Sequence, residues 1–78
     1  MSKQKVIDLI LSDMRYHFKE AKRYGNRKDK NMTAAAFKNA REDRDKLYEY
    51  MTTEEARQLF IAAYKEVFEG KREKDILL

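Results

Sequence analysis

One histidine in a chain of 78 residues sets the first limit on its chemistry. His17 has Asp13 four residues before it and Glu20 three residues after it, so the three side chains leave one side of a helix. That spacing could hold a metal ion. Helix-borne carboxylate/His sites, however, draw paired motifs from several helices, and no second His exists to supply one. The chain also has no Cys, which removes the thiolates of the common zinc frameworks. His17 is therefore expected to make ordinary i,i+4 contacts with carboxylates, with no metal and no cofactor.

The acidic groups give no better case for catalysis. Glu42, Asp43, Asp45 and Glu49 alternate with Arg41, Arg44 and Lys46, and Arg41–Asp45 and Glu42–Lys46 fall at the i,i+4 spacing of surface pairs worth ~0.2–0.5 kcal/mol. General acid–base work needs carboxylates in a concave, desolvated place, which a lean helical bundle does not promise. Nucleophilic catalysis needs a hydroxyl or thiol held beside a base. The two glycines, Gly25 and Gly70, are too far apart for a phosphate loop. The expectation is a non-enzyme without a small-molecule substrate.

The cations carry more information. Net charge is +4, and it is local: residues 1–31 have nine cations against four carboxylates, while 32–51 are balanced and 52–78 sum to −1. Arg15, Lys19, Lys22 and Arg23 lie within about 100° of one another on a helical wheel, and Arg27, Lys28 and Lys30 follow. Arg15–Lys19 and Lys19–Arg23 are like-charge i,i+4 pairs, which lower helix stability. Tolerated repulsion of this kind has two readings: a solvated face, or a field aimed at nucleic-acid phosphates or an acidic protein surface. Tyr16 and Tyr24 lie close enough to the patch to stack on bases, although aromatics on a bundle helix usually pack in the core. A helix-turn-helix reading fails, because the helix after the only tight turn opens Glu54-Glu55 and phosphate would repel it.

Apolar residues exceed what a small bundle needs. On the third segment, Ala56, Leu59, Phe60, Ile61, Ala63, Tyr64, Val67 and Phe68 span roughly 200°, against the ~100° stripe that one buried face requires. Leu9 and Tyr16 lie opposite the main stripe of the first segment, and Ile76, Leu77 and Leu78 close the sequence. Contiguous exposed apolar surface usually marks an interface. The alternative is a third helix sandwiched by the other two. Arg44 sits inside the apolar arc of the second helix, which implies either a charge snorkelling to the rim or a carboxylate partner on a facing element.

These groups need elements to hold them. With no Pro and strong helix formers throughout, helix is the default state. The pattern predicts an all-α, small antiparallel three-helix bundle with helices over about 3–24, 33–51 and 53–69. One domain spans 1–70 and a tail spans 71–78. In the first helix Ile7, Leu11, Met14, Phe18 and Ala21 form the core stripe, with Ser2 as N-cap and Gly25 as C′ residue. Residues 25–31 read as a polar loop, with Asn31 or Thr33 capping the second helix. Ala36, Phe37, Ala40, Leu47, Tyr48 and Met51 give that helix its apolar face. Thr52 and Glu55 have the spacing of a capping box, and Gly70 ends the third helix.

No apolar run approaches the ~20 residues of a membrane span, and no uninterrupted signal-peptide core follows Met1. Asp8, Asp13 and Glu20 spoil attachment to an anionic membrane surface. Cysteine-free composition fits a reducing, cytoplasmic setting. The leading expectation is a small regulatory or accessory factor, of the kind also found in phages and mobile elements. It would bind a protein partner or a second copy of itself, a homodimer being the simplest form, through Leu9, Tyr16, Ile61, Phe68, Ile76, Leu77 and Leu78. The alternative is nucleic-acid binding through Arg15, Lys19, Lys22, Arg23, Arg27, Lys28 and Lys30.

Overall fold

In the computed structural model residues 2–70 are described, and they form three helices: α1 (Lys3–Asn26), α2 (Lys30–Leu47) and α3 (Thr53–Glu69). Successive helices are antiparallel. Tyr24 and Met32 line one groove and His17 faces Asp43, while Phe37 meets Phe68 and Arg44 meets Phe60. The expected all-α three-helix bundle is the observed fold. The expected tail, 71–78, lies outside the described residues.

Local chemistry fixes the helix ends, and three ends differ from expectation. Ser2 caps α1 as read from the sequence, its Oγ accepting the Lys5 N–H at 3.3 Å. α1 does not stop at Gly25, however. It runs to Asn26, and the left-handed residue is Lys28, with φ +61°. Asp29 explains the early start of α2, because its Oδ1 accepts the Met32 N–H at 3.1 Å and its carbonyl accepts the Thr33 hydroxyl at 2.7 Å. A carboxylate cap also suits the positive helix end. The link between α1 and α2 is thus three residues long, and a non-glycine carries its positive φ.

α2 ends at Leu47, before the expected Met51. Over the next residues the N–H groups of Tyr48, Glu49 and Tyr50 donate to carbonyls three back, those of Asp45, Lys46 and Leu47, at 2.9–3.4 Å. Thr52 must be extended (φ −69°, ψ 158°, beside φ −70°, ψ 153° at the Ser2 cap) to cap α3, so the chain tightens and leaves the helix just before it. The capping box is present: Thr52 Oγ1 accepts the Glu55 N–H at 3.1 Å, and Glu55 Oε1 accepts the Thr52 N–H at 3.2 Å. The Thr52 hydroxyl also donates to Glu55 Oε1 at 2.9 Å, and the two bonds this carboxylate accepts, from the Thr52 hydroxyl and backbone N–H, hold it below its usual range. Gly70 ends α3 in the left-handed conformation at φ +68°.

The core is built from a few large side chains and many small ones. Phe18, Met14 and Leu47 are its largest fully buried side chains, while Ala21, Ala36, Ala40, Ala56, Ala62 and Ala63 fill the rest. α1 is the shared element, packing most extensively on α2 and next on α3. α2 and α3 meet least. The third helix is therefore not sandwiched, and its wide apolar arc has only one extensive neighbour.

Candidate functional site

Phe18 organises the side chains that matter most. From the middle of α1 its ring meets Phe60, Tyr64, Phe37 and Phe68, with centroids 5.1, 5.6, 6.1 and 6.3 Å away. Above it Phe68 stacks with both Tyr64 (4.6 Å) and Phe37 (5.8 Å), so a ladder of rings bridges α3 to α2. Rings of this size keep the two helices from closing on each other. The α2–α3 seam is the least packed of the three, and its rings, the aromatic crevice of the molecule, are only partly covered: Tyr64 is 38% exposed, and Phe37 and Phe68 are half-buried. Ile61 on α3 and Tyr48 at the end of α2 are also exposed. At the α1–α2 link, a pocket of about 560 Å³ is lined by Phe37, Ala34 and Thr33 with Gly25, Lys28, Asp29 and Lys30.

Arg44 resolves its sequence ambiguity here. Its guanidinium lies 5.1 Å over the Phe60 ring, and its carboxylate partner is its neighbour Asp45 at 3.1 Å, not a group on a facing helix. The arginine's planar charge thus covers an aromatic face across the α2–α3 gap.

Among the apolar residues read as an interface, the structure separates two groups. Leu9 (53% exposed) and Tyr16 (57% exposed) belong to α1 and lie away from the crevice. Tyr16 instead lines a smaller groove of about 280 Å³ between α1 and α2, with Tyr24, Met32, Ala35 and Ala36. Ile61 borders the crevice, and Phe68 is drawn into the ring ladder. Ile76, Leu77 and Leu78 lie outside the described residues.

The seven cations also divide. Arg15 pairs with Glu66 of α3 at 3.1 Å, Lys22 donates to the Val67 carbonyl at 3.1 Å, and Arg23 pairs with Glu20 and covers the Tyr24 ring. These three help dock α1 to α3 or brace α1 itself. Lys19, Arg27, Lys28 and Lys30 have no carboxylate partner among the described residues.

Asp13, His17 and Glu20 do not converge on a common point. Glu20 turns to Arg23, while His17 Nε2 faces Asp43 Oδ2 of α2 at 3.8 Å. Among the described residues no group of three or more His, Cys, Asp or Glu side chains is placed to hold a metal ion. Asp43, read from the sequence as a surface charge, is 3% exposed. Its Oδ1 lies 3.4 Å from Lys46 Nζ, and its Oδ2 is buried without a hydrogen bond. Burial pushes its carboxyl above the usual range, against the pull of Lys46 and His17. The signal was present in the spacing: Ala36, Ala40, Asp43 and Leu47 form one 4-3-4 stripe, and all four are buried.

Comparison with protein-family models, with characterised proteins and with solved structures gives no match to this chain.

Proposed function

We propose that this protein is a small non-catalytic, regulatory binding factor that works by docking a protein onto the apolar surface centred on α3. The observation carrying this reading is the aromatic crevice. Large apolar side chains exceed what the bundle buries, and Ile61 and Tyr64 of α3 and Tyr48 at the end of α2 are left exposed. Burying such rings against a partner adds about 25 cal/mol per Å² of apolar area removed from water. Aromatic side chains are also the residues that dominate binding energy at protein interfaces. The occupant is either a separate protein or a second copy of the chain.

Light scattering across a concentration range, followed by titration with candidate partners, tests the reading. Ile61→Asp with Tyr48→Ser is the informative variant, because both side chains are exposed and the ring ladder is left intact. Loss of association at unchanged melting temperature supports the proposal. A strictly monomeric protein whose interactions all survive this variant refutes it.

A second reading, nucleic-acid binding, is favoured by one observation. Among the described residues Lys19, Arg27, Lys28 and Lys30 have no carboxylate partner, and the last three lie in or beside the α1–α2 link. Contacts from this end would be made mainly to phosphates and would weaken steeply with salt. Fluorescence anisotropy with labelled DNA and RNA at low salt, repeated with Arg27→Glu/Lys28→Glu, decides it: no binding, or binding unaffected by the variant, removes this reading.

A further inference from the structure

The three most exposed large apolar side chains among the described residues are Tyr16, Leu9 and Met32, and none is on α3. Tyr16 and Met32 line the groove of about 280 Å³ between α1 and α2. Leu9, two turns before Tyr16, shares its side of α1. Glu20 stands between the two tyrosines of this groove, one turn from each, and its side chain is 14% exposed and paired with Arg23. Ala35 and Ala36 of α2 face them, and their small size leaves the groove open.

The ridge of α1 that carries Tyr16 reads Leu9, Asp13, Tyr16, Glu20, Arg23 and Arg27, a 4-3-4-3-4 spacing that keeps them on one seam about 27 Å long. Its acids come before its cations. Two such ridges laid side by side in the same direction would set Asp13 on Asp13 and Arg23 on Arg23, and like charges across an interface are costly. Reversed about a two-fold axis at the level of Phe18, the same ridges match. Asp13 then meets Arg23, Tyr16 meets Glu20, and Leu9 meets the aliphatic stem of Arg27. Asp13 has no ion pair and Arg27 no carboxylate partner among the described residues. Lys19 and Lys22 turn to the groove between α1 and α3, which Glu66 and Val67 also line, so no lysine stands on the seam. A nucleic acid is a poor occupant, because Asp13 and Glu20 would face its phosphates.

We propose that α1 pairs antiparallel with α1 of a second copy, the Tyr16 ring of each chain entering the α1–α2 groove of the other beside Glu20. The two-fold repeats each contact, so Asp13 and Arg23 bridge the copies at both ends of the seam while the tyrosines are buried near its middle. The pairing uses none of the α3 residues named above and leaves that surface to a separate protein.

Sedimentation equilibrium of the full chain over a wide concentration range measures the pairing, and a monomer–dimer equilibrium is expected. Tyr16→Ala is expected to weaken it at least about tenfold with helix content by circular dichroism unchanged, since the ring is exposed within one chain. Asp13→Arg and Arg23→Asp are each expected to weaken it about as much, by setting like charges across the seam. An equimolar mixture of those two variants is expected to recover the dimer, because each chain then supplies the charge that the other lacks. A chain that is monomeric at every concentration overturns the inference, and so does a mixture that fails to recover. Dimers lost in Ile61→Asp/Tyr48→Ser but kept in Tyr16→Ala also overturn it, and leave the α3 reading standing with a second copy as its occupant.

Discussion

The α1–α2 and α2–α3 contacts use the same kind of helix and reach opposite results. Where α1 meets α2, Ala21, Ala36 and Ala40 are buried to within a few per cent, the helices pack extensively, and even a carboxylate, Asp43, is enclosed. Where α2 meets α3, Phe37, Phe60, Tyr64 and Phe68 stand between the helices, contact is sparse, and rings are left in water. Helix axes approach as closely as the side chains between them allow. Small residues therefore close an interface here, and large ones hold a surface open for use.

The greatest loss is expected where both contacts depend on one residue. Phe18→Ala removes a ring that is 1% exposed and touches four other rings, which corresponds to about 3–5 kcal/mol. For a chain of this size that approaches its whole stability, and circular dichroism with urea is expected to show a largely unfolded protein. A cooperative, native-like transition would mean that the two contacts are independent.

The size argument is tested by inserting the same side chain on each side of α2. Ala40→Leu, at a fully buried alanine, is expected to cost about 1–3 kcal/mol by pushing α1 and α2 apart. Ala34→Leu, at an exposed alanine lining the open pocket beside Phe37, is expected to stay within about 0.5 kcal/mol of the parent. Equal costs in urea midpoints would show that helix separation is not set by these residues.

Asp43 marks what tight closure imposes on a charge. Its folded-state carboxyl binds a proton more readily than in the unfolded chain, because burial raises it. Stability from this group therefore grows as pH falls through the raised folded value, and is fully present below the unfolded value of about 3.9. Asp43→Asn is expected to stabilise by about 1–2 kcal/mol at neutral pH by removing the buried charge while keeping the side chain's shape. That advantage is expected to vanish in acid. Urea titrations of both proteins from neutral pH down to pH 4 measure it, and an advantage that persists unchanged would contradict the assignment.

The smallest effect separates local from tertiary support in α3. Thr52→Ala removes both the hydroxyl acceptor and half of the capping box, at about 1 kcal/mol. Since the Glu55 carboxyl is held low by Thr52, the stability lost is the part that acts above its unfolded value and disappears as pH falls through its folded one. Hydrogen exchange is expected to rise mainly in the first turn of α3.

Much of this molecule is legible without coordinates. The Phe18 stripe, the Thr52–Glu55 box and the left-handed Gly70 follow from period and capping chemistry over a few residues. Misplaced boundaries had the same local character: Asp29 competes with Asn31 and Thr33 for the α2 cap, and the sequence holds all three. The crevice was harder. The wide arc of α3 showed that apolar surface was in excess, but not which residues would be covered. Phe68 joins the ladder only because Phe37 of α2 and Tyr64 of its own helix stack on it.

By itself, then, the sequence determined that three capped helices form, that each carries an apolar stripe, and that cations concentrate in the first 31 residues. Those outcomes depend on interactions within a turn or two of helix. Tertiary structure decided that Asp43 is buried facing His17, that Arg15, Lys22 and Arg23 are engaged while Lys19, Arg27, Lys28 and Lys30 have no carboxylate partner among the described residues, and that the least packed seam lies between α2 and α3. Each of these depends on the size and charge of side chains brought together from distant positions, and no local pattern contains that information.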